Sequence, residues 1–179
     1  MLIPTNKESA MKTLLHPLLL VLVVLLSATL TTQAQANDPI ARANIIAFLK
    51  AVYQSNLPVA DVAKQYVALS TAANEFSTEK RYELIGHHIQ MLREGNSMST
   101  PGARKPTVER VTVVPYHKLS KAQKAQAVAF EADAEQLQHI YAAIENGAVI
   151  RYFVYQNDKI SSFDYLMKGS GGPRYFIGY

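Results

Sequence analysis

The sequence predicts an α+β domain in which helices pack on one face of a curved antiparallel β-meander, in the order α-α-α-β-α-β-β-β-β. Three observations lead there. Apolar residues recur at helical spacing from 37 to 95, and strand-like apolar runs bounded by turn signals occupy most of the chain from 137 onward. Between these regimes lies a polar stretch rich in Gly, Ser and Pro (GNSMSTPGARKPT, 95–107).

The helical half divides into three. Asp38-Pro39 supplies an N-cap and a proline for the first helical position, and Ile45, Phe48, Leu49, Val52 and Tyr53 follow as one apolar stripe. Asn56-Leu57-Pro58 ends that helix. Val59, Val62, Ala63, Tyr66 and Val67 repeat the pattern in a second. A third begins near Ser77-Thr78 with Glu79 in its first turn, carries Leu84, Ile85, His88, Met91 and Leu92, and is closed by Gly95. The stretch 95–107 reads as a mobile loop inside one domain. The 72 residues after it hold too little helix to cover a sheet alone.

Beyond the loop the residue types change. The run 108–116 (VERVTVVPY) is β-branched and ends on Pro115, which suits a strand terminus or an edge. Ser120 and Gln123 stand at capping-box spacing, so a helix is expected over 120–129. The run 137–144 fits a strand, and it also fits a helix continuing from Ser120 to Glu145. The strand is favoured, because the helix would put Gln126 and Asp133 on the face of Leu137, and because Asn146-Gly147 is a hairpin signal that wants a strand before it. The run 148–155 (AVIRYFVY) is the expected central strand. Asn157-Asp158 turns it, 160–167 returns, a glycine-rich turn follows at 169–173, and 174–179 is a last strand. Alternation in the central strand sets Ile150, Tyr152 and Val154 against Val149, Arg151, Phe153 and Tyr155. An unpaired charge is costly to bury, so Arg151 marks its own face as the outward one and leaves Ile150 in the core.

This order of elements, with the meander between Tyr141 and Tyr179, resembles the NTF2-like (SnoaL-like) fold, with one helix more before the first strand than its simplest members have. A cystatin-like or an unassigned exported domain has a comparably short sheet. The NTF2-like resemblance implies a pocket between helices and sheet. Some members use it for small-molecule binding or catalysis, and many serve only for association.

The N-terminus reads as a secretory signal. Lys12 precedes the apolar run 18–26 (LLLVLVVLL), and Ala34-Gln35-Ala36 forms a small-x-small cleavage site, with Met11 as the expected true start. The run is about half the ~20 apolar residues that a membrane anchor needs. Cleavage after Ala36 leaves 143 residues without an anchor, destined for the periplasm or the medium. Losing Lys7, Lys12 and Glu8 with the leader leaves 16 basic and 13 acidic residues, too mild an excess for a nucleic-acid binder. The sequence has no cysteine, which excludes disulfides, thiol catalysis, a cysteine-anchored zinc and a lipid on a lipobox cysteine.

Candidate sites are few. Adjacent His87 and His88 point about 100° apart on a helix, so they do not readily share a metal. Glu83 and His87 share a face as an ordinary surface contact does, and His88 reads as a partly buried histidine with a satisfied ring. His117, His139, Asp133 and Tyr141 are the acid–base candidates. The run 168–174 (KGSGGPR) lacks the following helix of a phosphate cradle and reads as a turn. The basic residues Arg104, Lys105, Arg110, Lys118, Lys121 and Lys124 face Glu109 alone and read as a solvated surface. No ligand spacing for a metal or cofactor appears, so neither is expected. Nine of the 16 Tyr and Phe residues lie between Tyr141 and Tyr179, so both sheet faces carry rings. The expected function is a non-catalytic exported domain that binds a protein or small ligand, either through the outward face (Arg151, Phe153, Tyr155) or through the helix–sheet pocket. The rivals are an NTF2-like enzyme using the acid–base residues and a structural module dimerising through its sheet.

Mass spectrometry of the protein purified from the envelope or medium should give an N-terminus at Asn37. An intact N-terminus in a membrane fraction would overturn the secretory reading.

Overall fold

The computed structural model describes residues 38–71, 76–96, 105–167 and 172–179. The expected leader, Arg104, most of the 95–107 loop and most of the glycine-rich turn at 169–173 lie outside the described residues. Helix α1 covers 38–54 and carries the expected stripe, with Ile45, Phe48, Leu49 and Val52 buried and Tyr53 half-buried. Pro39 sits in its first turn, where a missing N–H costs no bond. After the Pro58 break, α2 (Val59–Tyr66) buries Val62 and Ala63. Helix α3 (Thr78–Arg93) starts on the Ser77 side chain, which accepts from the Lys80 N–H.

The end of α3 carries two separate caps. Gly95 takes φ 83° while its own N–H reaches Leu92 O and the Asn96 N–H reaches Met91 O, a Schellman closure. Arg93 meanwhile donates to the carbonyls of Val52, Ala51 and Leu57 at 2.9, 3.2 and 2.8 Å, capping the negative end of α1. The buried face of α3 is Ile85, Ile89 and Leu92, whereas Leu84, expected in the stripe, is exposed. Gly86 allows this rotation. A Cβ there would lie 3.3 Å from Val59 Cγ2, so α2 sits against bare backbone.

The sheet runs β1-β2-β3-β4, every neighbour antiparallel. Strand β1 (Val111–Pro115) is shorter than expected, with a 3-10 turn at either end. Helix α4 (Lys121–Gln126) begins with the expected Ser120–Gln123 capping box. The 137–144 segment is divided between its two readings. A second capping box, Asp133 with Gln136, starts the short helix α5 (Ala134–Gln138), and strand β2 (Ile140–Glu145) follows. Strand β3 (Ala148–Gln156) is paired on both sides, as expected. Both its hairpin turns are left-handed at two successive residues, Asn146-Gly147 (φ 53° and 79°) and Asn157-Asp158 (φ 51° and 59°). That is the twist that tight hairpins require. The expected return strand 160–167 is two strands. Strand β4 (Lys159–Ser162) stays in the sheet, and β5 (Tyr165–Met167) leaves it to pair with β6 (Arg174–Phe176), which ends before residue 177.

From Arg151 onward the two faces of β3 are reversed from the expectation, while Ile150 packs against the helix-side core and Val149 against the other, as expected. Phe153 and Tyr155 belong to the large core under α1–α3, and buried Arg151 lies on their side; the Phe48 and Phe153 rings meet edge to face at 6.0 Å. Tyr152 belongs to a second core, with Val149 and Val154 packed against it. A bulge contributes, since Ala143 pairs Arg151 while Ile144 pairs Val149, leaving Ile150 as the extra residue. Nor is the second face open to solvent. Leu119, Val128, Phe130 and Leu137 cover it from the α4–α5 segment, and Tyr165 and Phe176 from the β5–β6 ribbon. Residues Pro39–Tyr179 form one compact unit. No helix among the described residues is long and apolar enough to cross a membrane.

Phe153→Ala should therefore cost about 3–5 kcal/mol, the usual loss for a buried phenylalanine. Ile150→Ala, at a half-buried bulge residue, should cost less. Urea unfolding of the two variants decides it, and a larger loss at Ile150 would mean that Phe153 is not the main anchor of the helix-side core.

Candidate functional site

Asp164 is a fully buried carboxylate at the point where the chain leaves β4 for β5. Its Oδ1 lies 3.3 Å from Arg151 Nη1, which also donates to the Phe163 carbonyl at 3.2 Å. Burying one charge alone would be prohibitive, and the pair is what makes Arg151 acceptable on the helix-facing side of β3. The Tyr179 hydroxyl donates to Oδ2 at 3.3 Å, and His88 Nδ1 lies 3.4 Å from the same oxygen. Nδ1 also lies 3.3 Å from the Tyr179 hydroxyl, so one edge of the His88 ring faces both the phenol and the carboxylate. Tyr53 of α1 lies near enough to Arg151 for the guanidinium charge to act on its phenol. One polar cluster thus joins α1, α3, β3, the β4–β5 corner and the last described residue.

Tyr179 is held at both ends. Its carbonyl accepts from Arg81 Nη2 at 2.7 Å and from the Ser70 N–H, and its ring lies 5.0 Å from that of Phe163. Burial pushes its phenol well above the ordinary 10.0, and the Asp164 carboxylate adds to this against the pull of Arg151. The Tyr53 phenol is also raised, chiefly by burial.

The residues singled out from sequence are dispersed. Asp133 is exposed and caps α5, its carboxylate accepting from the Gln136 N–H at 2.8 Å. His139 is the C-cap of the same helix, half-buried, its carbonyl accepting from the Tyr155 N–H. His117 is exposed in the 3-10 turn after β1. Tyr141 is buried on the helix-facing side, its ring 6.2 Å from that of Tyr155. Arg151, Phe153 and Tyr155, expected as an outward binding face, are core instead. Each finds its partner inside, respectively Asp164, Phe48 and Asn44. Sequence reading missed Asp164, Tyr179 and Tyr53. The signal for Asp164 was available: it is a lone charge between Phe163 and Tyr165 in a strand-like run, as Arg151 is in its own strand.

Two of the openings between helices and sheet are lined by described residues. One, above Arg151, has a cavity volume of about 20 Å³ among Leu49, Tyr53, Leu92, Asn96, Pro106 and Ile150, little more than one water needs. The other is about 180 Å³ and is lined by Asn44 of α1, Gln65 and Tyr66 of α2, Asp158 of the β3–β4 turn and Ile160 of β4. Gln65 and Asp158 are exposed at its mouth, and Ile160 is buried at its floor. Asn44 Nδ2 donates to the Tyr155 hydroxyl at 2.6 Å, fixing the amide against the sheet. No group of three or more His, Asp or Glu side chains among the described residues is placed to hold a metal.

The raised Tyr179 phenol sets an alkaline limit. The unfolded chain releases this proton near pH 10.0 while the folded chain keeps it, so stability is full below that pH and falls as pH rises past it. Tyr179→Phe should flatten the decline by up to about 1.4 kcal/mol per pH unit, the share of one proton. Urea unfolding on either side of pH 10.0 measures it. An unchanged slope would mean that the folded protein releases this proton as readily as the unfolded chain.

A comparison of the chain with protein-family models, with curated proteins and with solved structures gives no match.

Proposed function

We propose that the protein is an exported, non-catalytic binding domain that holds a small ligand in the cavity between α1, α2 and the β3–β4 turn. The observation that carries this reading is the contrast between the two polar centres. The Arg151–Asp164 cluster is closed on itself, its carboxylate fully buried and contacted by protein groups. The cavity at Asn44, Tyr66 and Asp158 is open to solvent, with an apolar floor and polar groups at the rim, as small-ligand sites usually are. Export rests on the leader-like N-terminal sequence. Helices before a meander, with a pocket between them, keep the NTF2-like resemblance as part of the proposal.

One observation favours a second reading, an acid–base enzyme. His88 is backed by a buried carboxylate that orients its ring, the arrangement a general base needs. The two readings separate in one experiment. In an NMR screen with a library of small polar molecules, the binding reading expects shifts clustered at Asn44, Gln65, Tyr66 and Ile160. Gln65→Trp, which places a large ring at the mouth without entering the core, should abolish them, and His88→Gln should leave them unchanged. Shifts centred on His88, lost in His88→Gln and indifferent to Gln65→Trp, would give the site to the second reading.

A further inference from the structure

The geometry points to a primary ammonium group as what the cavity between α1, α2 and the β3–β4 turn recognises. This rests on the binding reading of that cavity and names its ligand class.

The lining residues offer mainly acceptors. Asn44 has committed its amide nitrogen to the Tyr155 hydroxyl, which leaves Oδ1 as its acceptor. Gln65 adds an amide oxygen and Asp158 a carboxylate. Three acceptor groups suit the three N–H donors of an ammonium. The Tyr66 ring and Ile160 supply a face for the methylenes beside it, and Tyr66 is steadied edge to face against Phe48, 5.9 Å away.

The charge is on the same side and uncompensated. Among the described residues, no cation pairs with Asp158. Its neighbour Lys159 places its ammonium on the Lys64 carbonyl at 3.0 Å, at the end of α2. The field of Asp158 also reaches the Tyr155 phenol. That phenol is raised chiefly by burial and lowered by Asn44, and Asp158 adds to the rise. No arginine or lysine lines the cavity, so a carboxylate or phosphate ligand would meet repulsion from Asp158 with no cation to offset it.

The backbone makes the test clean. Asp158 sits at φ 59°, a conformation that asparagine adopts at least as readily, so Asp158→Asn removes the charge and leaves the turn intact. The probes are n-butylammonium, n-butanol and butyrate, titrated into the full chain and followed by amide shifts at Asn44, Tyr66 and Ile160. Butylammonium alone should bind, roughly fivefold more weakly in Asp158→Asn, as expected for a partly exposed charge pair, and more weakly as salt is added. Butanol or butyrate binding as tightly as butylammonium would overturn the ammonium assignment and leave the cavity as a binding site. Failure of all three probes to shift these residues, while library compounds do, would likewise overturn the assignment alone. Failure of both probes and library would remove the binding reading with it.

Discussion

The fold is organised around one buried carboxylate. Asp164 has no exposure, so everything that neutralises or hydrogen-bonds it must be brought to it. Arg151 supplies the charge, and that fixes which face of β3 turns toward the helices. Drawing Asp164 inward interrupts the strand after Ser162, whose hydroxyl closes the corner on the Asp164 carbonyl at 3.0 Å. The chain then leaves the sheet, and β5–β6 lies over its other face, where Tyr165 and Phe176 pack with Phe130 and Tyr152. A single polar pair thus accounts for two hydrophobic cores on opposite sides of one sheet. Such networks are robust when complete and costly to break, because removing one partner strands the other charge, at about 3–5 kcal/mol.

The features legible in the sequence were the local ones. The α1 stripe, the Ser120–Gln123 capping box, the Gly95 closure and the Asn-Gly turn each depend on residues within a few positions of one another. The misreadings arose where two local patterns competed. On α3, Leu84–His88–Met91 and Ile85–Ile89–Leu92 are equally regular, and the choice is made by the approach of Val59 to Gly86, which no helix period encodes. In 137–144 the Asp133–Gln136 box nucleates a helical turn before the strand begins at Ile140, so both readings hold over part of the segment. For β3 the physical premise was sound and the partner was missing. A buried charge is costly unless paired, and the pair lies across a hairpin and a strand break.

The site was less legible than the fold for the same reason. His88 shows as a half-buried ring on a helix, as its sequence suggested, but the carboxylate behind it is 76 positions away in the chain. Asp133 and His139 are near each other in sequence and looked like an acid–base pair, yet both are occupied in forming α5. The cavity residues Asn44, Tyr66 and Asp158 belong to three elements and share no spacing that any one element would impose. Only the packing of α1 and α2 against the β3–β4 turn assembles them.

The way Tyr179 is held also governs when the native state can form. Its hydroxyl meets His88 across 91 residues of chain, and its carbonyl meets Arg81 across 98. Asn44 waits for Tyr155 across 111. Closing such distant contacts late makes for slow folding, since chain entropy is lost before the contacts are gained. At synthesis rates of about 5–20 residues per second, the helices leave the ribosome several seconds before their partners exist. Through that interval the apolar faces of α1 and α3 have no sheet to cover them, and the chain stays open to chaperones and proteases until its last strands arrive.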